Sequence, residues 1–222
     1  MISRFPARIV VSLLVSSLAT FADTPRDVSA VLRPVLAQSK VPGIVGAVVE
    51  GRGITAIGAA GVRRKGSPSL MTVRDKVHIG SCAKTMTSTV VAMLVEEGKL
   101  SWDTTLAESF PELRDHMRPV WRDVTVAQLL NHCSGFPKDD GDSLGRREQL
   151  RIRTPPEARM MLARDILAGE PDAPPGTKFV YSNAAFATAG AIVERIEGKP
   201  WEAVIHERLF GPLGMTSAGF GA

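Results

Sequence analysis

The chain has 222 residues, of which 44% are apolar and 23% charged. That is enough for one ordinary globular domain with a core and too few for two large ones. The formal net charge is +4, but two of the 27 basic residues, Arg4 and Arg8, lie in a predicted leader. Without them 25 basic residues stand against 23 acidic ones. The sequence therefore offers no electrostatic case for binding nucleic acid or an anionic membrane.

The first 22 residues have the pattern of a secretory signal peptide. Arg4 and Arg8 precede an apolar run over residues 9–18, and Ala22 is a small residue suited to cleavage. Even counted from Ile9 to Ala22 the stretch is about 14 residues, shorter than the roughly 20 that span a bilayer, so export with cleavage is favoured over a membrane anchor. The pattern predicts a signal peptide at 1–22 and a mature chain in the periplasm or outside the cell, without a stable membrane span.

Apolar periodicity and turn residues predict the elements of the mature chain in order. They are a helix over 26–38, a β-hairpin over 44–60, and helices over 81–97, 123–130, 155–167, 183–196 and 201–209. The helix over 81–97 is apolar over most of its circumference, which is typical of a buried helix. Thr125 is a candidate N-cap. The polar stretch 138–154 is predicted to form a surface loop.

Cysteine and histidine are sparse. The two cysteines, Cys82 and Cys133, form no disulfide framework, and sequence alone does not give the geometry that a bridge needs. The favoured interpretation is two buried thiols that pack as small hydrophobes. The four histidines show no metal-ligand spacing, so the sequence predicts neither a metal nor a cofactor.

Ser81-Cys82-Ala83-Lys84 is an S-x-x-K tetrad at the start of the apolar helix. The i, i+3 spacing places Ser81 and Lys84 on one face, one turn apart. A serine hydroxyl needs a base beside it to act as a nucleophile, and an amine in a partly desolvated pocket can be that base. The alternative is a surface helix start with Lys84 in solvent, which fits poorly because this helix is so apolar.

Tyr181-Ser182-Asn183 is the second candidate motif, and it contains the only tyrosine of the chain. A phenol near a cation can shuttle a proton, and Asn183 can bind a substrate amide through donor and acceptor together. The alternative is a turn tyrosine followed by an asparagine N-cap, and taken alone the motif favours it.

The segment from His78 to Thr85 resembles the nucleophile motif of class C β-lactamases, D-alanyl-D-alanine carboxypeptidases and β-lactamase-fold esterases. Flanking segments resemble the same serine β-lactamase and penicillin-binding-protein family in the same order: residues 41–43, 94–100, 129–135, 175–183 and 209–215. The resemblance implies that Ser81 is the acylated nucleophile, Lys84 a general base, Tyr181 a proton shuttle and Asn183 a substrate contact. It leaves open whether Lys84 or Tyr181 takes the first proton.

The third motif of that family, Lys or His followed by Ser or Thr and Gly, does not follow Asn183 in this sequence. In the family that motif lies on a strand that supplies the second oxyanion donor. We therefore expect residues 23–222 to be the front part of such a domain, either as an incomplete sequence or as a truncated product.

Two competing nucleophile assignments are weaker. Gly141-Asp142-Ser143-Leu144-Gly145 matches a G-x-S-x-G elbow, but that motif works on a strand-to-helix turn and no apolar strand precedes it. His132 and Ser134 suggest a dyad, but both lie in a family-like segment where a structural role is favoured.

The sequence as a whole predicts an α+β fold in which a helical region packs on a largely antiparallel sheet, with the site in the cleft between them. The predicted activity is serine hydrolysis through an acyl-enzyme, with a β-lactam, a D-Ala-D-Ala peptide of peptidoglycan, or a small ester as substrate. The alternative is an inactive fragment of the same fold or a cell-wall-binding protein.

Overall fold

The computed structural model describes residues 24–51, 53–138 and 154–221. The chain divides into two compact units, Met1–Asp75 and Lys76–Ala222. The predicted signal peptide lies outside the described residues, and so does nearly all of the polar stretch 138–154. No helix in the described part of the chain is both long and apolar enough to cross a membrane.

The first unit is a three-stranded sheet with one helix. Its elements are β1 (Arg26–Asp27), α1 (Ser29–Gln38), β2 (Gly43–Glu50) and β3 (Gly53–Gly61). The sheet order is β1-β3-β2, with β2 antiparallel and β1 parallel to β3. The β-hairpin that the sequence predicts is thus confirmed, while the sheet described is mixed because the short β1 joins it in parallel.

The first helix begins later than the sequence predicts. The N–H of Val28 donates to the carbonyl of Ile57 in β3, so this stretch is held at the sheet edge. Ser29 then donates through both its N–H and its Oγ to the Asp27 carboxylate, at 2.8 and 2.6 Å. The helix also crosses β3 closely, since a Cβ at Gly58 would lie 2.5 Å from the backbone nitrogen of Ser29. Only glycine fits at that crossing.

The second unit is helical. Its α-helices are α2 (Ala83–Glu96), α3 (Leu106–Ser109), α4 (Val126–Leu130), α5 (Pro155–Ala168), α6 (Asn183–Glu197) and α7 (Trp201–Ile205). Short 3-10 turns lie at Gly80–Cys82, Pro111–Leu113 and Pro119–Trp121, and a π-helical turn lies at His206–Phe210. The predicted helices of this half are confirmed to within a few residues at each end, with Thr125 capping α4 through a reciprocal pair of bonds with Gln128.

The core of this unit forms where α2, α6 and the segment between residues 106 and 136 meet. Its largest fully buried side chains are Trp121, Phe110, Phe136, Leu94, Leu106, Met117, Leu129, Leu167, Ile192, Ile205, Val90 and Val91. Trp121 packs edge-to-face on Phe136 with centroids 5.2 Å apart, and its indole N–H donates to the carbonyl of Gly169 at 2.9 Å. The one polar atom of this large side chain is therefore satisfied.

Ion pairs join the C-terminal ends of α2 and α6 to the π-helical turn. Arg208 contacts Glu97 at 2.5 Å and Glu197 at 2.7 Å, and Lys99 lies 3.3 Å from Glu197. Hydrogen bonds from Arg208, and then from Lys99, lower the pKa of Glu97 to about 2. This network holds together helix ends that are far apart in sequence, and it depends on ionised carboxylates.

Candidate active site

Ser81 lies in the 3-10 turn that leads into α2, and a left-handed glycine presents it. Gly80 has φ of 53°, and its N–H donates to Nδ1 of His78 at 3.1 Å. A residue with a Cβ is strained in that conformation, while glycine is not. Ser81 is exposed at this turn, beside the N-terminal end of α2, where backbone N–H groups and the helix dipole favour negative charge.

Lys84 points back along the helix toward Ser81. Its Nζ donates to Ser81 Oγ at 3.2 Å and to Oδ1 of Asn183 in a short contact. The side chain is half-buried rather than extended into solvent, so the surface-lysine alternative is wrong. The i, i+3 spacing therefore brings the Lys84 amine into contact with the Ser81 hydroxyl, as the sequence predicts.

Tyr181 reaches the same serine from the segment that precedes α6. Its phenol donates to Ser81 Oγ at 2.7 Å, and the residue is 39% exposed. Ser182 caps α6 by accepting the N–H of Ala185 at 3.3 Å, and Asn183 is the first helical residue. The asparagine N-cap alternative is therefore wrong, because the serine occupies that position.

Two aromatic rings lie near the amine of Lys84. Nζ lies 4.9 Å from the centroid of the Tyr181 ring and 5.6 Å from that of Phe186. Ring faces attract a cation and restrict where it can move, so they help to hold Lys84 against Ser81. Sequence reasoning missed Phe186, although its place three residues after Asn183 puts both on one side of α6.

His132 also belongs to this cluster, and sequence reasoning assigned it only a structural part. It is buried, with 8% exposure, and its ring lies 4.4 Å from the Tyr181 ring and 5.1 Å from that of Phe186. Burial, and then the charge of Lys84, lower the pKa of His132 below its usual range. Ser134 is buried with its Oγ accepting the N–H of Phe136 at 3.4 Å, so it is not presented as a nucleophile.

The cysteines differ from the favoured interpretation. Both are free thiols, but Cys82 is exposed and Cys133 is only half-buried. Cys82 lies in the exposed turn before the buried part of α2 begins, so residue type was a poor guide to its burial. The interpretation as two buried thiols is wrong for this reason.

Other candidate sites do not coincide with the cluster. The G-x-S-x-G segment around Ser143 lies outside the described residues. In the described part of the chain no group of three or more His, Cys, Asp or Glu could hold a metal ion. An open depression of about 920 Å³ lies on α5 and α6 beside Met160, Met161 and Arg164, and none of the predicted site residues lines it.

The fold that places these groups together is the β-lactamase/transpeptidase-like fold. The Beta-lactamase family model matches residues 28–222, and the chain belongs to that family. Penicillin-binding protein 4 of Amycolatopsis lactamdurans is 34% identical over 157 residues, which is 71% of this chain and 39% of that protein.

Solved structures agree with the fold. The octameric penicillin-binding protein homologue from Pyrococcus abyssi matches with a TM-score of 0.68 and 30% identity, over 84% of this chain and 42% of that one. The D-amino acid amidase from Ochrobactrum anthropi SV3, complexed with L-phenylalanine amide, matches with a TM-score of 0.67 and 25% identity, over 85% and 51%. This chain spans about half or less of the length of these proteins.

Proposed function

We propose that the chain carries the nucleophile, base and proton shuttle of a serine hydrolase that works through an acyl-enzyme. The observation that carries the proposal is the convergence of two side chains on Ser81 Oγ, Lys84 at 3.2 Å and Tyr181 at 2.7 Å. Both contacts are within the reach that proton transfer needs. Family membership supports the proposal, because the named relatives include a penicillin-binding protein and an amidase.

In the proposed first step, Ser81 Oγ attacks the carbonyl carbon of the substrate and gives its proton to the unprotonated member of the pair, the neutral Lys84 amine or the Tyr181 phenolate. The new Oγ–C bond gives a tetrahedral intermediate with a negative oxygen. The backbone N–H of Ser81, near the positive end of α2, is one donor to that oxygen. The leaving nitrogen or oxygen then takes the proton from the same relay, its bond to carbon breaks, and Ser81 stays acylated until water attacks.

Asn183 is proposed to orient the substrate. Its Oδ1 accepts from Lys84, which holds both side chains in one geometry. The same amide group carries N–H donors, which suit the carbonyl of a substrate amide. Substrates of this type are a β-lactam, a D-Ala-D-Ala peptide, or a small ester or amide, all of which present a carbonyl beside a leaving group.

The test is covalent labelling of the full-length protein. A fluorescent penicillin and a fluorophosphonate are applied to wild type, Ser81→Ala and Ser143→Ala. We expect the adduct on Ser81, its loss in Ser81→Ala, and full labelling of Ser143→Ala, the matched control in the competing motif. An adduct that mass spectrometry places on Ser143 would contradict the assignment.

Substrate class is decided by turnover with wild type and Ser81→Ala. A chromogenic cephalosporin, a p-nitrophenyl ester, a D-Ala-D-Ala peptide and a D-amino acid amide cover the proposed leaving groups. A folded protein with neither label nor turnover on any of them would support the inactive or cell-wall-binding alternative instead.

We also propose that the protein is exported, with cleavage after Ala22. The sequence pattern of residues 1–22 supports this, and those residues lie outside the described part. N-terminal sequencing of the protein recovered from its native compartment should begin at Asp23, and a start at Met1 would contradict it.

A further inference from the structure

His132 has a backbone conformation that is uncommon for residues other than glycine. Its φ is 60°, and in the described part of the chain it is the only residue other than glycine with a positive φ. Glycine adopts this conformation freely, whereas a residue with a Cβ retains it where the surrounding structure compensates for the strain. A side-chain contribution that glycine could not make is therefore the hypothesis to test at this position.

His132 accepts two hydrogen bonds from the residues on either side of Tyr181. The carbonyl oxygen of His132 accepts the N–H of Val180 at 2.8 Å, and its Nδ1 accepts the N–H of Ser182 at 3.2 Å. Ser182 is fully buried, so no water can replace Nδ1 as the acceptor, and loss of that bond would leave a buried N–H unpaired at a cost in stability. The backbone is thus held immediately before and immediately after the tyrosine.

The imidazole ring also packs on the Tyr181 ring, with centroids 4.4 Å apart and planes inclined by 34°. On its other sides it contacts Phe179 at 5.4 Å and Phe186 at 5.1 Å. In this packing Nδ1 faces the N–H of Ser182. An Nδ1 that accepts a hydrogen bond belongs to a neutral ring with its proton on Nε2.

We propose that His132 is a positioning residue for Tyr181, which holds the phenol against Ser81 by fixing the backbone on both sides of the tyrosine and supporting its ring. The depressed pKa of His132 is consistent with the neutral ring that this arrangement needs. The inference rests on the proposed function, in which Tyr181 shuttles the proton of Ser81.

Two substitutions separate the contribution of the Nδ1 acceptor from that of the bulk of the imidazole ring. His132→Gly keeps the backbone conformation and the bond to Val180, but removes Nδ1 and the ring. His132→Asn also tolerates the left-handed conformation and places Oδ1, an acceptor, near the former Nδ1. A residue that served only to fill space would not be rescued by the smaller asparagine.

The first measurement is amide hydrogen exchange by NMR in the full-length protein. In His132→Gly we expect the Ser182 amide to exchange at least about tenfold faster, because the unpaired buried N–H destabilises the closed segment and makes its local opening more frequent. The Val180 amide, whose acceptor remains, is the internal control, and His132→Asn should retain protection at both. Unchanged protection of Ser182 in folded His132→Gly would overturn the inference, whether or not the protein is an active hydrolase.

The second measurement is the rate of acylation by a fluorescent penicillin or a fluorophosphonate, whichever labels wild type. We expect His132→Gly to be slower by between tenfold and about 10²-fold, the loss that a displacement near 1 Å produces, and His132→Asn to recover most of it. A rate for His132→Gly within twofold of wild type would overturn the positioning role. Labelling that persists in Ser81→Ala would instead count against the proposed function, so the two failures are distinguishable.

Discussion

Removing the hydroxyl of Tyr181 tests the proton relay most directly, because Tyr181→Phe leaves the ring in place. The ring contact with His132 at 4.4 Å does not involve the hydroxyl, so the segment before α6 should keep its position. What disappears is the 2.7 Å hydrogen bond to Ser81 Oγ.

The expected effects on stability and on rate differ in size. One hydrogen bond contributes a net 0.5–1.5 kcal/mol or so to folding, and Tyr181 is 39% exposed, so water can replace part of it. We expect the free energy of unfolding to fall by about 1 kcal/mol at most. Loss of a positioned proton-transfer group lowers a rate by roughly 10²–10⁴, which corresponds to about 3–5 kcal/mol in the activation barrier.

The assay compares acylation rates by stopped flow with urea unfolding in the same full-length preparations. Thr177→Val is the matched control, since it also removes an exposed hydroxyl from this segment, one that donates to the carbonyl of Pro174 at 2.6 Å. We expect the control to acylate within twofold of wild type. Acylation by Tyr181→Phe within about threefold of wild type would refute the reasoning, and would leave Lys84 as the only side chain proposed to take the proton.

Three further outcomes are expected. Lys84→Arg keeps the positive charge but cannot accept a proton, so acylation should fall by about 10² or more; a near-normal rate in the folded variant would show that Lys84 is only structural. Leu129→Ala, at a fully buried site, should lower the free energy of unfolding by about 2–5 kcal/mol, whereas Leu213→Ala, at a site 68% exposed, should change it by less than about 0.5 kcal/mol; equal urea midpoints would contradict the core described. The pKa of Glu97 is depressed to about 2 in the folded state, so its contribution to stability is present above its ordinary value and is lost as pH falls from about 4.5 toward 2. Glu97→Gln should therefore flatten the fall of the melting temperature in that window, and parallel curves would show that the carboxylate does not contribute.

The sequence was sufficient for what depends on local geometry. Helical spacing alone places Ser81 and Lys84 one turn apart, and the structure gives the contact at 3.2 Å. The cap at Thr125 depends on a side chain bonding to backbone three residues away, so residue types close in sequence determine it. Family resemblance added Tyr181 and Asn183, whose residue types alone favoured an ordinary turn.

Tertiary structure decided what depends on the packing of distant segments. Tyr181 meets Ser81 across 100 residues of chain, and His132 bonds to Ser182 across 50. No periodicity encodes such approaches, because they result from how α2, α4 and α6 bury their apolar faces against one another. The exposure of Cys82 was misjudged for the same reason: residue type predicts burial only on average, whereas the place of a side chain in the packed helices decides it.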